Sequence, residues 1–399
     1  MRPGWVSRLG PWIGIGTSPA ALMLGGGLGQ DLDGCWLASS AAIGIVALTL
    51  LATAQGALGQ RRGTNISGVL AGPLGRLGAR HVASWVIVAM MLGWFGVNAG
   101  VGGTALGRLL GASDAAGIAL FALIVLAVVW RGLGTLSWVA LAAGLATVGI
   151  GAYGVILALR DTGARAAETG GGDLPAALAG ATLVVGYGAA FALRSPDFTL
   201  DLARGRHVLW CAVAGLSAPL LIFVAAGAAL QRATGTWNLA EVLVELDAAR
   251  VAQLFLAVGF TGSVMTNLHS GAAALIDGSP TNSRAAALVL IGAGGSALAL
   301  AGLADRMLGY LELMAVLAPG LVVLSVLYWT SGSVTRDKWG IPALMAWALG
   351  FVAGVGLGLA GSPLALPGAL ALTGGAYFTI TAVLGRRGQP WETNDEHCP

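Results

Sequence analysis

The chain has 399 residues, of which 56% are hydrophobic and only 10% charged, with a mean hydropathy of +0.82. Soluble domains carry about 25% charged residues, so a water-soluble globule is excluded. A net charge of +3 with no basic cluster beyond short loops argues against nucleic acid as a partner. The partners expected are the lipid bilayer and a small molecule, with no obligate protein partner.

About 20 apolar residues cross a bilayer. That window predicts twelve spans, near 9–29, 35–58, 83–107, 115–131, 135–159, 175–194, 207–230, 251–275, 284–303, 307–330, 340–361 and 365–385. The fold class is therefore an all-α polytopic membrane protein. The N-terminal "MRPGWVSRLGPWIGIG" sets Arg2 and Arg8 ahead of an apolar run and offers no small-residue cleavage site, so it predicts the first span rather than a signal peptide. With the N-terminus in the cytoplasm, fifteen of the 21 lysines and arginines fall on the inner side and six on the outer. Cytoplasmic loops carry this excess. A cell-membrane protein with both termini cytoplasmic is predicted, ending in a short polar tail over 387–399.

Span one contains "GIGTSPAA", Gly14 to Ala21, with Thr17, Ser18 and Pro19 at its middle. Glycine and proline weaken a helix interior, so a broken helix is predicted there. Span six, "VVGYGAAFALRSPDF", carries Gly186 and Gly188 and is predicted to be broken as well. Broken helices at corresponding places in two repeats point to a transporter binding site. Spans 1–5 (residues 1–160) and 6–10 (175–331) then form two inverted repeats, because an odd number of spans inverts the second copy. Two additional helices follow over 340–386.

Span three contains "MLGWFGVNAG", Met91 to Gly100. Trp94 and Asn98 are four residues apart and share a helix face. An aromatic ring with an amide one turn away can read a flat heterocycle; the same pair also fits a core tryptophan and a helix-bridging amide. Span eight, "GFTGSVMTNLHSGAAAL", is the most polar, with Thr261, Ser263, Thr266, Asn267, His269 and Ser270. Neutral oxygens suit a hard monovalent cation, and polar groups at membrane depth face the interior or a cavity. His269 titrates near neutral pH, although a packing histidine is the commoner role. Glu312 in span ten is a candidate intramembrane acid. Asp197 and Asp201, beside Arg194, Arg204 and Arg206, read as a loop-anchoring charge network. Cys35, Cys211 and Cys398 are too scattered for a metal site or disulfide framework. No Walker A, H-x-x-x-H or G-x-S-x-G pattern is present, so no enzyme is predicted and no cofactor is implied.

"GWFGV" in span three resembles the third helix of cytosine permeases of the nucleobase:cation symporter-1 family. "GGGLG" at Gly25–Gly29, "PDF" at Pro196–Phe198 and "MTN" at Met265–Asn267 resemble patches at similar places in that family. The resemblance implies the leucine-transporter fold, five plus five inverted helices and two more, with substrate held between helices one, three, six and eight. It implies that Trp94 stacks on a base and Asn98 bonds to it, with Ser18, Tyr187, Phe191 and Ser270 completing the substrate site. It implies a sodium site from Thr266, supported by Asn267, and from carbonyls near Gly14 and Thr17. The chain departs from the family's pattern in four places, the first being Leu200, which closely follows "PDF" where an arginine is usual. Ser18 stands where an aromatic is usual, so Tyr187 or Phe191 would supply the second ring. Met265 stands where a second hydroxyl is common, which leaves His269 as a group for proton coupling. Gly271 stands near a substrate-binding asparagine of some members. The expected function is import of a nucleobase-like heterocycle coupled to Na+ or H+, with cytosine first and a purine or a hydroxymethylpyrimidine next. A carrier of amino acids or other small solutes on the same fold, or a non-transport membrane protein, are the alternatives.

Overall fold

The fold is described from a computed structural model covering residues 3–162, 171–236, 238–279, 283–331 and 338–385. The expected tail 387–399, with Cys398, lies outside the described residues. Among those residues, nine helices are long and apolar enough to cross a membrane. Two shorter apolar helices and a first crossing made of two pieces bring the crossings to twelve.

In chain order, α1 (Leu9–Gly16) and α2 (Pro19–Asp31) make the first crossing and α3 (Gly34–Arg62) the second. The short α4 (Ile66–Gly78) leads into α5 (Ser84–Leu109), the third. Then come α6 (Asp114–Trp130), α7 (Leu133–Thr162) and α8 (Leu174–Arg194), followed by the single turn α9 (Pro196–Thr199). α10 (Gly205–Trp210) passes through a π-helical turn into α11 (Ala218–Thr234), and α12 (Leu239–Glu245) is a short connecting helix. The rest are α13 (Ala249–Gly278), α14 (Arg284–Leu300), α15 (Met307–Thr330), α16 (Ile341–Leu359) and α17 (Ala365–Gly385).

At the centre, α5 packs along α13. Around this pair α2 packs on α11 and α3 on α8, while α1 packs on α7 and α15 on α8. Leu50, Trp130, Ile222, Val352 and Leu359 project from the outside of the bundle, the apolar exterior that a bilayer covers. The helices alternate in direction, so Arg8, Arg61, Arg80, Arg131 and Arg284 gather at one end, the basic end. Arg108, Arg250 and Arg306 lie at the other.

The first crossing breaks where the sequence predicts, and proline is the cause. A residue before proline is pushed out of the helical region, and Ser18 is extended at φ −61°, ψ 139°. Pro19 then occupies the first position of α2, where its missing N–H is no loss. Span six is also interrupted within the predicted stretch, although α8 runs unbroken through Gly186 and Gly188. The interruption falls at Ser195, because Pro196 has no N–H to give to Ala192. The Ser195 hydroxyl donates to the Ala192 carbonyl instead, at 2.9 Å, and lies 3.0 Å from that of Ala52.

Candidate functional site

The helix break, α5, α8 and α13 enclose a central cavity lined by Ile15, Ser18, Trp94, Asn98, Tyr187, Phe191, Arg194, Ser263 and Asn267. It is closed down to about 10 Å³, room for roughly one water. Four of its buried polar atoms have no protein hydrogen-bond partner: Ser18 Oγ, Asn98 Oδ1, Arg194 Nε and Asn267 Nδ2. Buried polar groups are almost always paired. Four such atoms on residues lining a single cavity make it the candidate binding site.

Trp94 forms one wall. The edges of two tyrosines meet it, Tyr187 at 6.0 Å between centroids and 83°, and Tyr310 at 5.4 Å and 81°. Tyr187 also donates to the Ile15 carbonyl at 2.5 Å, fastening α8 to the open end of α1. Tyr310 reaches Trp94 because Gly93 has no side chain. A Cβ there would stand 2.6 Å from the Tyr310 ring. The Tyr310 hydroxyl donates to the Met90 carbonyl at 2.6 Å, so one glycine of "MLGWFGVNAG" exists to seat a ring on the tryptophan beside it.

Arg194 is the residue that sequence reasoning misplaced. It is not in a loop network; it is 1% exposed and lines the cavity. Its Nη1 donates to the Thr266 carbonyl at 2.6 Å, and its Nη2 to Asn267 Oδ1 at 2.6 Å and toward Thr266 Oγ1 at 3.4 Å. The rings of Phe191 and Phe198 lie 5.4 and 5.8 Å from the guanidinium. A helix-ending arginine usually snorkels to water. Here α9 folds beneath it, and Phe198 stacks on Phe191 with centroids 5.4 Å apart, closing the basic end.

Of the expected site residues, Trp94, Asn98, Ser18, Tyr187, Phe191 and Asn267 converge on the cavity. Ser270 does not; it is buried beside Asp197. The Thr17 hydroxyl is turned away, donating to the Ile13 carbonyl at 2.7 Å and lying over Gly144 of α7. Gly14 meets Gly262 of α13 backbone to backbone, which makes it a helix-crossing glycine. His269 leans on Phe198 at 6.0 Å and is not among the lining residues. Glu312 is exposed, on a separate groove between α8, α15 and α16. The expected charge network is divided: Arg8 pairs with Asp201, while the buried Asp197 accepts from the Ile66 N–H at 3.0 Å. Burial pushes the Asp197 carboxyl up to about 6, against that hydrogen bond. Sequence reasoning missed Tyr310 and the cavity role of Ser263; Tyr310 gave no local signal, because its partner Gly93 lies on another helix.

Toward the Arg108 end, a vestibule of about 600 Å³ opens under α12. Pro19 and Val101 line it, directly past Ser18 and Asn98 of the cavity. The site is thus approached from the Arg108 end and sealed from the basic end.

No known family's sequence profile matches the chain, and no curated protein sequence does. Solved structures do. The structure of Mhp1, a nucleobase-cation-symport-1 family transporter, in a closed conformation with bromovinylhydantoin bound, superposes with a TM-score of 0.80 at 18% identity, covering 97% of this chain and 94% of that one. The inward-facing conformation of Mhp1 gives 0.75 at 17%, covering 96% and 92%. A Na+-coupled sialic acid symporter in a substrate-bound outward-open state gives 0.70 at 14%, covering 96% and 90%. The chain is a multi-pass membrane protein with the leucine-transporter fold.

Proposed function

We propose that the chain is a nucleobase:cation symporter-1-type secondary transporter that imports a flat nucleobase-like heterocycle by alternating access, driven by a gradient of Na+ or H+. The observation that carries the substrate class is the set of four unpaired polar atoms on residues that line one cavity with Trp94. Asn98 Oδ1 can only accept, Arg194 Nε and Asn267 Nδ2 can only donate, and Ser18 Oγ does either. A heterocycle with amino and carbonyl groups on one edge satisfies this set while its face lies on the indole. Cytosine is the leading substrate, with its exocyclic amine toward Asn98 and its carbonyl toward Arg194 and Asn267. A purine or a hydroxymethylpyrimidine is next. Mhp1 is seen with bromovinylhydantoin bound, and a hydantoin, a ring with alternating N–H and carbonyl groups, presents an edge of this kind.

Alternating access is supported by the vestibule at one end and the packed Phe191, Phe198 and Arg8–Asp201 layer at the other. The packing of α2 on α11 mirrors that of α3 on α8, as expected if 1–160 and 175–331 are inverted repeats. The positive-inside bias supports a cytoplasmic basic end.

The test is uptake of radiolabelled cytosine into cells lacking their own permease, for wild type and Trp94→Ala. Stacking on an aromatic contributes about 1–3 kcal/mol per base, so uptake at low substrate should fall about 5- to 150-fold in the variant. Wild type present in the membrane but showing no cytosine uptake removes cytosine, and the same assay with purines and hydroxymethylpyrimidine then decides the class.

A further inference from the structure

We propose that Arg194 is a resident cation that occupies the place of a sodium ion, so that transport by this chain does not draw on a sodium gradient. The proposal deepens the reading of the cavity as a transporter site and narrows its coupling.

Three neutral oxygens of α13, the Thr266 carbonyl, the Thr266 hydroxyl and the Asn267 amide, converge on one positive group. A monovalent metal ion prefers the same kind of set, neutral dipoles that replace its hydration shell. Here the positive group is a guanidinium, which stays charged in proteins. Among the described residues its neutralisation comes from no carboxylate within ion-pair distance; the two ion pairs present are Arg8–Asp201 and Arg108–Asp114. On helix one, the Ile15 carbonyl accepts the Tyr187 hydroxyl, and the Thr17 hydroxyl donates to the Ile13 carbonyl rather than joining these oxygens. Met265, buried next to Thr266, brings no oxygen donor. Both protein donors, Tyr187 and Arg194, come from α8, so one helix supplies the groups that fasten α1 and α13 together.

A free sodium ion at these oxygens would have to displace the guanidinium or share them with a like charge in a low-dielectric interior, where repulsion is barely screened. Arg194 is covalently held and cannot leave with the substrate. It can stabilise the assembled site permanently, and it cannot transmit the energy of an ion gradient. Arg194 lines the cavity and its Nε has no protein partner, so the group that replaces the ion is also placed to meet a ligand there.

The experiment is equilibrium binding of ²²Na+ to the purified full chain in lipid nanodiscs, with choline holding the ionic strength constant. Wild type should show no saturable binding. Saturable binding near one ion per chain would overturn the proposal. The readout needs no substrate, so it decides the role of Arg194 even if cytosine and its relatives prove not to be carried. A thermal-unfolding series in NaCl against choline chloride adds a gain-of-function arm. Arg194→Ala frees the three oxygens and should acquire a sodium-dependent rise in unfolding temperature that wild type lacks. Adding Thr266→Val should abolish it. A folded Arg194→Ala that gains no sodium response would overturn the reading of these oxygens as a cation site. Where uptake is measurable, equal rates in Na+ and choline media are expected, and sodium-dependent uptake would overturn the proposal.

Discussion

Replacing Gly93 by alanine tests how the cavity wall is built. The added Cβ would stand 2.6 Å from both Tyr310 Cε2 and Tyr310 Oη and 2.7 Å from Cζ. The obstacle is a ring, held by its hydroxyl to Met90 at 2.6 Å, so it cannot swing aside like the end of a flexible chain. Overpacking of this kind destabilises by about 1–3 kcal/mol. If Tyr310 moves, Trp94 loses an edge-to-face neighbour worth about 0.5–1.5 kcal/mol. A substrate stacked on Trp94 should then bind about 2- to 12-fold more weakly. The assay is a double-mutant cycle on unfolding temperature and substrate affinity, with Gly93→Ala, Tyr310→Ala and the pair. Removing the ring first should abolish most of the alanine's effect, a coupling of about 1 kcal/mol or more. Simple additivity of the two single effects would refute the claim that Gly93 is there to admit Tyr310.

Two other changes separate stability from function. Asn98→Leu removes a buried acceptor that lacks a partner and should stabilise the ligand-free protein by about 1 kcal/mol while weakening substrate binding; unfolding temperature and affinity moving down together would contradict this. Asp197 is held up at about 6 by burial, so the folded state keeps its proton more tightly than the unfolded chain. The resulting stabilisation is fully present below the ordinary carboxylate value and is lost as pH rises through 6. Unfolding followed from pH 4 to pH 7 should show that decline in wild type, and Asp197→Asn should flatten it.

The membrane crossings were legible in the sequence because a bilayer imposes length and apolarity on each one separately. The first break was legible because Ser18-Pro19 is a local steric fact. The glycines of span six misled, since Gly188 packs against Leu48 and Gly186 against Leu311; they serve helix contact, not interruption. Arg194 was misplaced for a related reason. A charged residue at the end of an apolar run reads as a boundary, and only the folding of α9 beneath it shows that this helix ends inside the protein. Trp94 and Asn98 were recognisable by their spacing on one helix. Tyr310 was not, since its role depends on an approach between α5 and α15.

The central cavity admits little more than a water molecule in this state, and that has a kinetic and thermodynamic cost shared by every ligand. A ligand larger than water must first find the site open, so its apparent dissociation constant is the intrinsic one divided by the fraction of molecules that are open. Ligands of different chemistry then carry the same multiplicative penalty. A substitution far from the set of polar atoms that props the helices apart would tighten binding of all of them by one common factor, leaving their rank order untouched, whereas a change at Asn98 or Arg194 would reorder them.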